Sequence, residues 1–287
     1  MDVRRRQRLR GLHINRIIPN VLTLLALAAG LSSLRFALHG AWEPAVLAVL
    51  VAGVLDGLDG RIARILKGAS KFGAELDSLS DFMCFGVAPA FVLYLWALDE
   101  AGRFGWSLVL VVCICCALRL ARFNTADDAD DDIALVDRSF FVGVPSPAGA
   151  GIVLLPLILW LQTEADLFRH PAVVAVFMLA GAGLMVSRLR TFSFKKMRIP
   201  EGWVLITMLS VGLYLALLVS TPWTTLTFSL IAYVATFPFS VRAYARLSRR
   251  RLEALAAAEA SGAQPTGADA ATAMAAEDER TAPPSPA

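Results

Sequence analysis

Four aspartates, Asp56, Asp59, Asp77 and Asp81, stand in the stretch DGLDGRIARILKGASKFGAELDSLSD. Asp56 and Asp59 are spaced i,i+3, and Asp77 and Asp81 i,i+4. On a helix each pair therefore shares one face, with Cβ atoms roughly 5–6 Å apart. Between the pairs, Lys67-Gly68-Ala69-Ser70-Lys71 is short and polar, ends near Gly73 and reads as a turn. Two antiparallel helices joined there bring both pairs into one oxygen-lined cleft. No His or thiolate has matching spacing, so the ligands are hard oxygens, which suit Mg2+ or Mn2+ completed by water and a substrate phosphate. Gly60 withholds a side chain where a substrate could press against the backbone, and Arg64 supplies a fixed cation for phosphate.

The elements that must position these groups are apolar. AVLAVLVAGVL precedes the stretch and FMCFGVAPAFVLYLWAL follows it, and both could sit in hydrocarbon, where an ionised carboxylate is costly enough to mark a function. With 57% hydrophobic and 18% charged residues, the 287-residue chain is too apolar for a soluble domain and long enough for several membrane spans. The expected fold is an all-α integral membrane bundle of about eight helices, near 17–38, 44–66, 75–98, 104–122, 145–163, 171–190, 202–220 and 222–243.

The net charge of +3 is modest, but its distribution sets topology. Arg61, Arg64, Lys67 and Lys71 follow the second helix, Arg119 and Arg122 close the fourth, and Arg188, Arg190, Lys195, Lys196 and Arg198 follow the sixth. Arg242 to Arg251 follow the eighth, whereas the opposite connections are poor in Lys and Arg. The positive-inside rule then puts both termini in the cytoplasm. Asp56 would lie about 16 Å below the cytoplasmic exit of its helix at 1.5 Å per residue, in a cleft open to the cytoplasm and bordered by lipid. The basic start MDVRRRQRLRGLHINR lacks a small-residue cleavage site and reads as a cytoplasmic flank. Anionic lipid and orientation account for its arginines without nucleic acid.

The carboxylate stretch resembles the signature of the CDP-alcohol phosphatidyltransferases: Asp56, two residues, Asp59-Gly60, two residues, Ala63-Arg64, eight residues, Gly73, three residues, Asp77, three residues, Asp81. The first helix opens Ile18-Pro19-Asn20-Val21-Leu22-Thr23, where Asn20 and Thr23 share a face, and this too resembles the family, whose first helix lies against the bound nucleotide. Further stretches look like the bacterial membrane-type phosphatidylserine synthases. These are Asp81 to Ala90 (DFMCFGVAPA), Arg119 to Asn124 (RLARFN), Val142 to Gly151 and Val186 to Lys195.

The resemblance implies that serine attacks the phosphorus of CDP-diacylglycerol attached to the diacylglycerol oxygen, releasing CMP and forming phosphatidylserine. It implies that Asp56 and Asp77 hold the metals jointly, that Asp59 completes one site and Asp81 the other, and that Asp81 takes the serine proton. Asn20, Thr23, Asp56, Gly60, Arg64, Ser70 and Gly73 are implied at the CDP-diacylglycerol site, and a homodimer is implied for the whole. The domain limits that follow are a basic amino terminus over 1–16, a catalytic membrane domain over 17–243 and a basic, then disordered, tail over 244–287. The setting is the inner cell membrane.

The signature handles the shared donor, so glycerol 3-phosphate, an inositol compound or choline stay open as acceptors. Free serine carries a carboxylate, which the planar fork of an arginine binds through two hydrogen bonds. Arg119 and Arg122, i,i+3 at the end of the fourth helix, are the first candidates, with Arg188 and Lys195 second. An ion-coupled transporter would spread its carboxylates along a route or pair them across repeats, and here all four cluster. Cys84, Cys113, Cys115 and Cys116 fall inside predicted spans. Neighbours on a helix face different ways and cannot close a tetrahedral metal site alone, so these are packing residues. The TADDADDD segment after Asn124 reads as a solvated loop.

Overall fold

A computed structural model describes residues 14–66, 68, 70–128, 140–187, 190–192 and 204–236. Its first helix, α1 (Ile14–Leu38), carries Pro19 near its start and ends where Gly40 turns the chain at φ 69°. After that turn α2 (Trp42–Ile65) begins with Glu43 in its first turn, where a negative charge offsets the helix dipole. α2 runs back along α1 and closes with a bond from Gly68 N–H to the carbonyl of Ala63 at 2.9 Å, which satisfies one of its last carbonyls. Ser70 then caps α3 (Lys71–Ala101) by accepting from Gly73 N–H at 3.0 Å. The turn expected between the two carboxylate pairs therefore exists, and it is short because one side chain both ends the loop and starts the helix.

α3 contains two π-helical segments, Phe82–Val87 and Tyr94–Leu98, and a final 3-10 turn, Asp99–Ala101. α4 (Arg103–Asp128) follows and packs on the first π segment and on α6 (Pro171–Val186). Between them, α5 (Ser146–Thr163) ends at Glu164 in a left-handed conformation and packs along α6. Beyond lie α7 (Val204–Ser220) and α8, over 222–236. α8 leans on α5 at Gly151, where an added Cβ would come 2.6 Å from Leu230 Cδ2. The main core is built from α2, α3, α4, α5 and α6 and includes Val46, Val92, Trp96, Val112, Val153, Leu157 and Met178.

Eight helices in the expected order thus stand among the described residues. Four are long and apolar enough to cross a membrane by length and composition: Ile17–Leu38, Lys71–Ala101, Arg103–Thr125 and Ser146–Thr163. α2 is 24 residues long but carries Asp56, Asp59, Arg61 and Arg64 in its second half.

Two expectations need correction. The sixth helix stops at Val186 and not near 190, because Ser187 turns to an extended conformation (ψ 150°). Beside the helices of this all-α bundle, β1 (Phe140–Val142) pairs antiparallel with β2 (Arg190–Phe192) over three residues each. The acidic segment after Asn124 is not all loop, since α4 runs on through Asp128. The amino terminus before Ile14, Lys67, Arg188, residues 129–139, the 193–203 connection with Lys195, the chain beyond 236 and the tail lie outside the described residues.

Candidate active site

The carboxylates meet as their spacing requires. Asp56 and Asp59, one turn apart on α2, and Asp77 on α3 each offer an oxygen, and these oxygens lie within 4.8 Å of one another. Asp81, one turn beyond Asp77, joins them: its side chain and that of Asp56 are in hydrogen-bonding contact. Two carboxyl groups approach so closely only with a proton or a cation between them. Unit charges at this spacing repel by roughly 3–4 kcal/mol per pair at an effective dielectric of ~20. A multivalent cation offsets that cost, and the donor set, all carboxylate oxygen, fits a hard divalent ion. A second sign is Asp81 Oδ1, which is buried without a hydrogen-bond partner among the described residues.

α1 fixes the far wall through one residue. Thr23, 4% exposed, donates from Oγ1 to Asp59 Oδ2 at 2.5 Å, and its backbone carbonyl accepts from Ser80 Oγ at 3.3 Å. Thr23 is therefore a node tying α1 to the Asp59 helix and to the Asp77–Asp81 helix at once. Asn20, one turn earlier, points at the start of α3: a Cβ added at Gly73 would lie 2.9 Å from Asn20 Oδ1 and 3.1 Å from Ser70 Oγ. Asn20, Ser70 and Gly73 thus converge on one spot. Gly60 opens the opposite side, since a Cβ there, like one at Gly57, would meet nothing within 4 Å. Arg64 lies one turn beyond Gly60 and is exposed.

Arg119 and Arg122 come to the same end of the bundle, with their forks in use. Arg119 Nε donates to the carbonyl of Val144 at 2.7 Å and its Nη1 donates to Ser146 Oγ. Its charge also acts on both Asp56 and Asp81. Arg122 donates to the carbonyls of Val186 at 3.2 Å and Ser187 at 3.5 Å, where α6 ends. A cation there complements the negative end of that helix. Gly143 makes room for this arrangement. Its φ is 84°, and a Cβ would come 2.9 Å from the carbonyl oxygen of Met185 and 3.2 Å from Arg122 Nη2.

Sequence reasoning did not single out Ser78, Ser80 or Ser146. Ser78 Oγ accepts from Asn124 Nδ2 at 3.0 Å and ties α3 to α4, while Ser80 and Ser146 are buried. A usable signal was present in Asp77-Ser78-Leu79-Ser80-Asp81: polar residues that fill the turn between two functional carboxylates must face neighbouring helices. The four cysteines are free, and none belongs to the carboxylate cluster.

The family profile described as CDP-alcohol phosphatidyltransferase matches residues 16–187. A CDP-diacylglycerol–serine O-phosphatidyltransferase of Mycobacterium leprae is 36% identical over 225 residues, covering 78% of this chain and 74% of its own. The proteins of the same name from Mycobacterium tuberculosis and Helicobacter pylori are 35% identical over 233 residues and 33% identical over 206 residues. They cover 81% and 72% of this chain, and 80% and 83% of their own lengths.

Proposed function

Because this chain belongs to the CDP-alcohol phosphatidyltransferase family, we propose that it makes phosphatidylserine by the following use of its residues. The enzyme transfers the phosphatidyl group of CDP-diacylglycerol to the hydroxyl of L-serine and releases CMP, the activity named for its relatives. The observation that carries the site is the convergence of three carboxylate oxygens within 4.8 Å, with Asp81 beside them.

Asp56, Asp59 and Asp77, with Asp81 at the second position, hold divalent metal, Mg2+ or Mn2+, which when bound neutralises the charge of the pyrophosphate. Asn20 and Ser70, gathered at Gly73, hold the nucleotide end of the donor. The open backbone at Gly60 admits the phosphates, and Arg64 adds a cation beyond them. Asp81 takes the proton from the serine hydroxyl as its oxygen bonds to the phosphorus carrying the diacylglycerol oxygen. The bond from that phosphorus to the oxygen of CMP breaks, and CMP leaves with the electron pair. Asp59, Ser80 and Thr23 are buried and form the inner wall.

The charge pattern supports eight membrane-crossing helices in the inner membrane, with both termini and the cleft on the cytoplasmic side. The catalytic unit would be residues 17–243, between a basic amino terminus and a tail from 244, and the enzyme would work as a homodimer. Incubating the purified protein in lipid with labelled CDP-diacylglycerol and each acceptor in turn tests the assignment. The product with serine should be phosphatidylserine, and a product formed only with glycerol 3-phosphate, inositol phosphate or choline would overturn it.

Two further outcomes are expected. Gly73→Ala pushes Asn20 and Ser70 aside, so the Michaelis constant for CDP-diacylglycerol should rise about tenfold, the worth of roughly one hydrogen bond to a charged group. The constant for serine should change little, and steady-state kinetics in mixed micelles would separate the two. For serine, the carboxylate-binding role belongs first to Arg119, whose charge already acts on Asp56 and Asp81, and then to Arg122. Arg119→Lys keeps the charge and loses the fork. It should raise the apparent constant for serine roughly fivefold to twentyfold, with a smaller change for CDP-diacylglycerol. Unchanged serine dependence in both Arg119→Lys and Arg122→Lys would leave these arginines only their bonds to the carbonyls.

A further inference from the structure

The run Phe85-Gly86-Val87-Ala88-Pro89-Ala90 follows Asp81 closely, and the chemistry above does not use it. Its backbone is unusual. In a regular α-helix the ring of Pro89 would collide with the carbonyl of Phe85 and could not donate to it. The chain responds with the wider π-helical segment Phe82–Val87, in which Ala88 N–H reaches back five residues to the carbonyl of Met83. Asp81 is the last residue before that segment. Inserted π turns of this kind frequently sit at functional sites.

The segment is keyed on both sides by sulfur against glycine. A Cβ added at Gly86 would lie 3.0 Å from both Cβ and Sγ of Cys116 on α4. A Cβ added at Gly30 of α1 would lie 2.6 Å from Cys84 Sγ, and that thiol donates to the carbonyl of Ala26 at 3.3 Å. Cys116, Leu120 and Met185 form a small separate apolar cluster with Phe82, the residue next to Asp81. Asp81 Oδ1, in contrast, has no hydrogen bond among the described residues to aim it. Beyond its contact with Asp56, the direction of this carboxylate is set by the backbone beneath it, and that backbone is held by packing.

We propose that the π segment, forced by Pro89 and locked to α4 where Gly86 receives Cys116, holds Asp81 where it can accept the serine proton. Gly86 and Pro89 are then positioning residues for the reaction; this rests on Asp81 being the base. A displacement of the base by about 1 Å costs on the order of 10²-fold in rate, while the donor and the ion position shared by Asp56, Asp59 and Asp77 are little disturbed.

The test uses purified full-length protein in micelles of fixed composition. Gly86→Ala should lower kcat roughly 10- to 100-fold, with the CDP-diacylglycerol constant changed less than about twofold. Pro89→Ala restores a backbone donor and relieves the ring, and it should show the same split. Adding Cys116→Gly to Gly86→Ala vacates the space the new methyl needs and should recover most of kcat. Wild-type kcat in both single variants overturns the proposal. So does a parallel fall of kcat and donor binding that Cys116→Gly does not reverse. Asp81→Asn, measured alongside, separates the two assignments. If it keeps normal turnover, the base assignment fails and the positioning role fails with it. If it is slow while Gly86→Ala and Pro89→Ala are normal, only the positioning role fails.

Discussion

Asp56→Asn is expected to reduce phosphatidylserine formation by on the order of 10³-fold. Asp56 touches both halves of the cluster: its oxygen lies within 4.8 Å of those of Asp59 and Asp77, and its side chain contacts Asp81. An amide there removes one negative ligand from the shared position and offers a hydrogen-bond donor that repels the cation. Both divalent-ion affinity and the rate at saturating ion should fall, so raising the ion concentration restores only part of the activity. Rate measured against Mg2+ and Mn2+ concentration checks this, and near-normal turnover of Asp56→Asn in the presence of a chelator would sink the metal assignment. Asp59→Asn and Asp77→Asn should follow the same course.

Asp81→Asn should behave differently. Loss of a general base typically costs about 10²–10⁴-fold in rate, and the carboxamide keeps the shape of the side chain. Asp56, Asp59 and Asp77 remain to hold the ion, so CDP-diacylglycerol should still bind with near-normal affinity while turnover collapses. Donor binding measured directly, beside kcat, decides between the roles. If binding and turnover fell together at every ion concentration, Asp81 would be a metal ligand only.

The carboxylate site was legible in the sequence because its information is local. Two pairs at helical spacing and a turn of a few residues leave few ways to arrange the oxygens, and an apolar surround gives them a reason to meet. The order of the eight helices was legible for a similar reason: hydropathy and breakers such as Gly40, Gly102 and Pro145 act over short distances.

What was not legible depends on partners far along the chain. α6 ends at Val186 where its last carbonyls are taken by Arg122, some sixty residues earlier in sequence. β1 and β2 pair Phe140 with Phe192 across the whole of α5 and α6, and three residues of each strand carry no alternation to announce it. That Arg119 and Arg122 also bond the carbonyls of Val144 and Val186 was not legible, because a sequence does not show which carbonyls lie opposite. The π segment could have been suspected from Pro89 within an apolar helix. A kink or a break would have explained that proline equally well, and only the packing of Cys116 against Gly86 selects among them.

The face of α2 around Gly57 and Gly60 has open space where side chains would stand, and its neighbours Val54 and Leu58 are exposed. With α2 crossing the membrane as proposed, that opening faces sideways. The donor and the lipid product then come and go by two-dimensional diffusion within the leaflet and never cross into solution, whereas serine and CMP exchange with water. The concentration that matters for the donor is its mole fraction in the surface. Inert lipid added at constant total CDP-diacylglycerol will therefore slow the enzyme as an inhibitor would, without touching it.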